Sequence, residues 1–211
     1  MKTDKQRYWG MPRRLQSPEE RNRDMTTKSD RPRYPRAEAL AVAEALKAQL
    51  TPVCERIEIA GSLRRGKPAV GDIELVCIPK PIDPFYSWGE YDQLDAALRQ
   101  MISDGLLRKR RNKQGRFIGY GIQNKYLVHV PSGIGVDVFS TEARYWGMAL
   151  VVRTGPKEFN IRMMARFREL GMRGHAYGGS TDIGGTELDC PDEEPVFRLL
   201  GWPYMLPEER T

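Results

Sequence analysis

The chain has 211 residues, 40% of them apolar, and a formal net charge of +6, enough length for a hydrophobic core without disulfide staples. No apolar run approaches the ~18 residues of a membrane span, and the N-terminus lacks the apolar core of a signal peptide, so no membrane association is expected. Three widely spaced cysteines, Cys54, Cys77 and Cys190, argue against a disulfide framework or a zinc site and for a reducing compartment, the cytoplasm or the nucleus of a eukaryotic source.

Taken in chain order, the first 36 residues hold eleven Lys/Arg and five Asp/Glu, so the rest is formally neutral. Residues 1–32 carry no sustained apolar period and read as a basic, flexible segment. RAEALAVAEALKAQL, from Arg36 to Leu50, sets Leu40, Ala43, Leu46 and Leu50 at helical steps behind Pro35, which predicts a helix. RIEIAG and DIELVCI predict strands on either side of the turn GSLRRG. YDQLDAALRQMISDG predicts a helix stopped at Gly105. RKRRNKQGR follows in a strand connection, a basic cluster of Arg108, Lys109, Arg110, Arg111, Lys113 and Arg116 suited to phosphate backbones. On composition alone, a solvated loop fits it equally well. KYLVHV and GIGVDVFS predict two strands joined by PSG, PKEFNIRMMARFRELG a helix between Pro156 and Gly171, and DEEPVFRLLG a shorter one. GGSTDIGGTE reads as a flexible hairpin or insertion. The order implies an α+β fold with a mixed sheet and flanking helices over residues 33–141, and a mostly helical C-terminal domain over residues 142–211.

Two carboxylates stand inside the strand DIELVCI. Residues two apart on a strand share a face, about 7 Å apart along it, so Asp72 and Glu74 share one side while Ile73 and Leu75 face the core. Asp137, between Val136 and Val138, also points away from the apolar side. If the strands are neighbours, the three acids converge. Unit charges 5 Å apart repel by roughly 3 kcal/mol at an effective dielectric of 20, so such a cluster needs raised pKa values or a bound cation. All-oxygen donors suit a hard divalent ion, magnesium before zinc. A single D-x-E on a strand fits a solvent-facing side as well. GSLRRG, just upstream, supplies backbone N–H groups, a hydroxyl and guanidinium forks for an anionic polyphosphate.

The order GSLRRG, then G-D-x-E, then a distant strand aspartate resembles the polymerase beta-type nucleotidyltransferases, and family X DNA polymerases in particular. RTGPKEFNIRM and EEPVFRLLGWPYMLPEER extend the resemblance from about Arg33 to the C-terminus. It implies a nucleotidyltransferase palm domain, with Asp72, Glu74 and Asp137 as catalytic residues holding two Mg2+ ions, for which Mn2+ substitutes. Gly61, Ser62, Arg65, Gly71 and Arg33 are then expected at the nucleotide phosphates, and Thr154, Gly155 and Asn160 along the sugar and base. The implied partners are a dNTP or NTP and a DNA primer–template, handled by a monomer that lacks the family's lyase and helix-hairpin-helix domains. The pattern departs at Glu74, where an aspartate is usual, and at Val152-Arg153, where an aromatic pair is usual. Three readings stay open: a DNA polymerase, a nucleotidyltransferase with another acceptor (RNA, protein or a small hydroxyl compound), and a non-catalytic nucleic-acid-binding protein. His129 and His175 have no partners at metal-ligand spacing, and Tyr145 and Trp146 fit base stacking or hinge packing.

Overall fold

The computed structural model describes residues 32–82, 92–175 and 179–211, of which residues 33–211 form one compact unit. The basic segment of residues 1–31 lies outside the described residues.

In chain order, β1 (Tyr34–Pro35) leads into helix α1 (Arg36–Leu50), which buries Ala39, Ala43, Leu46 and Leu50. The buried stripe therefore runs through Ala39, leaving Leu40 only partly covered. Strand β2 (Cys54–Ile59) ends at a one-turn helix, α2 (Gly61–Arg64), where the sequence implied a plain turn. Strands β3 (Ala69–Val70) and β4 (Asp72–Pro79) follow. Helix α3 (Gln93–Ser103) is capped by Asp92, whose carboxylate accepts the Asp95 N–H at 2.5 Å.

Strands β5 (Leu107–Lys109), β6 (Asn124–His129) and β7 (Gly135–Ser140) complete a five-stranded sheet ordered β2-β4-β7-β6-β5, parallel between β4 and β7 and antiparallel elsewhere. Helix α4 (Trp146–Thr154) and helix α5 (Lys157–Glu169) come next. A small antiparallel sheet then forms from β8 (Arg173–His175), β9 (Gly179–Thr181) and β10 (Glu187–Leu188), so residues 179–188 are a hairpin. Helix α6 (Glu193–Leu200) closes on Gly201 at φ +68°, the left-handed stop that glycine takes without a Cβ clash.

Strand parity sorts the large sheet into two unlike faces. Ile73, Leu75 and Cys77 of β4, Val136 and Val138 of β7, and Leu127 of β6 turn inward beneath α1 and α3 in one apolar cluster. On the opposite face Val76 and Ile78 pack against Trp146, Ala149 and Leu150 of α4. The other side of α4, through Met148, Val151 and Val152, packs on Phe159, Met163, Phe167, Val196, Phe197 and Leu200. Trp146 is thus a core residue, with the Arg56 guanidinium 4.5 Å from its ring centre. Asp72 and Glu74 lie at the far end of β4 on that second face.

One charged joint ties α2 to the C-terminal helix. Arg64 donates to both oxygens of Glu193 at 2.7 and 2.8 Å and to the Thr154 hydroxyl at 2.9 Å. Arg210, fully buried, donates to the same Glu193 at 2.7 Å, and the Tyr204 hydroxyl donates at 3.1 Å. Burial pushes the Glu193 carboxyl upward, but the hydrogen bonds from Arg64 and Arg210 more than reverse this, leaving it at about 2 against an ordinary 4.5. A depressed carboxyl contributes stability that is present above its unfolded pKa and lost as pH falls through its folded one. Glu193→Gln is therefore expected to cost about 3 kcal/mol at neutral pH, the range for breaking a buried ion pair. Urea unfolding measured from pH 7 down to pH 2 checks it, and the difference from wild type should shrink below about pH 4.5.

Candidate active site

The parallel register of β4 and β7 places Asp72 opposite Gly135 and Glu74 opposite Asp137, and Asp137 in turn opposes Tyr126 of β6. Arg110, just past β5, continues the row, because its backbone N–H donates to the Tyr126 carbonyl at 2.9 Å. Arg110, Tyr126, Asp137 and Glu74 consequently lie side by side across the sheet. Strands β4 and β7 are thus neighbours, the condition on which the sequence reading made the convergence of the acids depend.

The electrostatics follow from that crowding. Burial, with Asp72 and Asp137 beside it, drives the Glu74 carboxyl up to about 8, while Arg153 and Arg65 pull the other way. Asp137 is held at about 6, raised chiefly by burial and by Asp72, and lowered by Arg110 and Arg153. A short hydrogen bond joins the Arg110 guanidinium to the Asp137 carboxylate. Arg110 thus differs from the exposed members of the basic cluster in having Asp137 as its partner. The sheet row carries it inward to a buried carboxylate.

The α2 turn lies directly over Glu74. Gly61 is buried with φ +64°, and a Cβ there would stand 1.8 Å from a Glu74 carboxylate oxygen. Its glycine is required first to admit Glu74, a constraint that a phosphate-loop reading of GSLRRG does not contain. Ser62 is partly exposed on the same turn. Arg65 caps the turn, hydrogen-bonded to the Thr154 carbonyl, with its Nε buried and unpartnered. Desolvation lowers its pKa, and Glu74 raises it in part. Arg64 instead faces the Glu193 joint. Arg33 donates to the Ala69 carbonyl at 2.8 Å, and the pairing of Tyr34 with Val70 brings it near Gly71, at which a Cβ would meet nothing within 4 Å.

Thr154, Gly155 and Asn160 also come together, at the break between α4 and α5. Thr154 is buried as the acceptor for Arg64 and Arg65. Asn160 donates to the Val152 carbonyl at 2.7 Å, and its Oδ1 is buried without a partner. Arg153 of α4, which the sequence flagged only as a departure, lies 3.7 Å from the Phe139 ring centre and eases both Glu74 and Asp137. Phe139 and Tyr126 meet edge to face at 6.3 Å. Of the basic cluster, Arg108, Arg111, Lys113 and Arg116 are exposed. Lys109 sits 4.3 Å from the Tyr120 ring centre, and Arg111 lies 3.9 Å from that of the exposed Phe117.

Among the described residues the acids do not form a closed metal cluster. Glu74 is turned against Gly61, and Asp137 against Arg110. The donor set is nonetheless all oxygen, and Glu74 is kept protonated to about 8 by burial and its acidic neighbours. A carboxylate row short of positive charge fits a hard divalent ion.

The family model described as DNA polymerase beta thumb matches residues 149–211. The chain is 31% identical over 199 residues to DNA polymerase lambda of Rattus norvegicus, an alignment covering 84% of this chain and 33% of that relative. It thus spans about a third of the relative's length.

Gly61→Ala combines a left-handed backbone with collision against Glu74, and is expected to cost on the order of 3 kcal/mol. A double-mutant cycle by urea unfolding separates the two causes: Glu74→Ala in the Gly61→Ala background should recover the collision part and leave the backbone strain.

Proposed function

We propose that this chain, similar to family X polymerases through its thumb match and its polymerase relative, is a metal-dependent nucleotidyltransferase that extends a DNA primer 3′-hydroxyl with deoxynucleotides, as in gap filling. One observation carries the reading: Glu74 and Asp137 in register on adjacent strands, with Asp72 on the same face and the GSLRR turn directly above. The thumb match and the polymerase relative support a DNA acceptor over a small hydroxyl compound.

Asp72, Glu74 and Asp137 would hold Mg2+, or Mn2+ in its place. When bound, such ions neutralise phosphate charge and acidify the attacking hydroxyl. The chain's own residues do the positioning. Arg65, Ser62 and the backbone around Gly61 and Gly71 would grip the nucleotide phosphates, with Arg33 reaching in from β1. For Arg65 this means exchanging the Thr154 carbonyl for a phosphate, a stronger, charge-assisted acceptor. The 3′-oxygen forms a bond to the α-phosphorus while the bridge to the β-phosphate breaks and pyrophosphate leaves. Asp137 would also accept the hydroxyl proton at its carboxylate. Arg108, Arg111, Lys113 and Arg116 would neutralise phosphates of the DNA. Phe117 beneath Arg111 offers a ring on which a base stacks.

The test is extension of labelled gapped, recessed and single-stranded primers with each dNTP or NTP and magnesium. Extension with dNTPs supports the polymerase reading, whereas modification of an RNA or protein hydroxyl alone sinks it. Asp137→Asn should lower turnover by at least roughly a hundredfold, while leaving nucleotide binding by fluorescence titration largely intact. Arg65→Ala is expected to raise the nucleotide KM by roughly ten- to a hundredfold, and Arg64→Ala to act on stability instead. Replacing Arg108, Arg111, Lys113 and Arg116 with alanine should flatten the slope of log K for duplex DNA against log salt by about three units.

A further inference from the structure

Arg110 is held at Asp137 by more than attraction. Its Nε and one Nη also donate to the Leu127 carbonyl at 3.2 and 3.1 Å, and its guanidinium carbon lies 5.8 Å from the Tyr126 ring centre. Its side chain is 21% exposed and that of Asp137 12%, so the pair is largely withdrawn from solvent. Gly135, two residues before Asp137 on the same strand face, leaves the space the guanidinium fills: a Cβ there would stand 2.6 Å from its Nη. A carbonyl, a ring, a carboxylate and a missing side chain thus form a seat for one cation. An arginine seated there uses the Asp137 oxygen that a metal ion needs.

We propose that Arg110 is a resident counter-cation that competes with the divalent ion for Asp137, and that a DNA phosphate draws it off, so that Asp137 is released for metal when DNA is bound. The geometry gives the guanidinium somewhere to go. Arg110 begins the exposed basic stretch that carries Arg111, Lys113 and Arg116, so phosphates docked there pull on the same backbone that seats it. Arginine exchanges readily between carboxylate and phosphate because both accept its planar fork in the same way. The inference rests on the proposed metal and DNA reading. It adds that the third carboxylate is conditionally available.

Mn2+ binding followed by electron paramagnetic resonance, without nucleotide and with or without a primer–template duplex, tests this apart from catalysis. Wild-type protein should gain roughly tenfold in Mn2+ affinity when DNA is added. Arg110→Met should bind Mn2+ about that tightly with no DNA, gain little on adding it, and lose the gain when Asp137→Asn is added. Gly135→Ala, which displaces the guanidinium while keeping every charge, should move Mn2+ affinity in the same direction, and guards against misfolding of the arginine variant. Unchanged or weaker Mn2+ binding in both single variants overturns the competition, leaving Arg110 a structural partner of Asp137. If these Mn2+ effects appear but no primer is extended, the polymerase reading fails and the competition stands. No Mn2+ binding in any variant overturns both.

Discussion

Like charges in adjacent register positions of a half-buried sheet repel, and the surroundings of β4 and β7 are arranged about that repulsion. Glu74 and Asp137 are direct neighbours, with Asp72 on the same face. The apolar side of the same strands fixes this, because a one-residue slip would bury the acids beneath α1 and expose Ile73, Leu75, Val136 and Val138. The core therefore holds the acids together against their own electrostatics. Every nearby cation then has a reason: Arg65 and Arg153 ease Glu74, and Arg110 and Arg153 ease Asp137.

The adjacent arginines of GSLRR illustrate how one helical turn divides labour. Successive residues on a helix point about 100° apart, so Arg64 and Arg65 leave the turn toward different partners. Arg64 meets Glu193, anchored on its far side by the buried Arg210, and forms part of the joint with the C-terminal helix. Arg65 meets only a carbonyl, that of Thr154. A phosphate competes far better for the second than for the first, since displacing Arg64 would leave Glu193 with a weakened buried pairing. Thr154 touches both arginines, so a change at Arg65 reaches the C-terminal helix through one residue.

Much of this was legible in the sequence, for reasons that differ by element. The strand acids could be read because period-two alternation is a local signal that survives folding, and the Pro-in, Gly-out helix ends are set by backbone chemistry within a few residues. Helix α4 was not legible: it is sandwiched between the sheet and the C-terminal cluster, so WGMALVV is apolar all round and shows no helical period. The pairing of Arg110 with Asp137 was not legible, because composition counts charge without direction. Its inward turn depends on a register with Tyr126 and on space left at Gly135, neither visible along the chain. Gly61 was singled out for its amide, and its closeness to Glu74 emerges only when β4 is laid beneath α2.

A consequence follows for the site as a whole. Arg65, Arg110 and Arg153 act on Glu74 and Asp137, two of the three carboxylates that the family resemblance assigns to metal. The guanidinium groups offset only part of the carboxylate charge, since Glu74 is still pushed up to about 8 and Asp137 to about 6, so the row stays short of positive charge. The compensation is not uniform. Arg153 is stacked on Phe139, while Arg65 and Arg110 are each held partly by a backbone carbonyl that has no charge to lose. Cations held that way are the ones an incoming polyanion can draw off. Nucleotide at Arg65 and DNA at Arg110 would each remove positive charge from the carboxylates, raising their demand for metal when both substrates are in place.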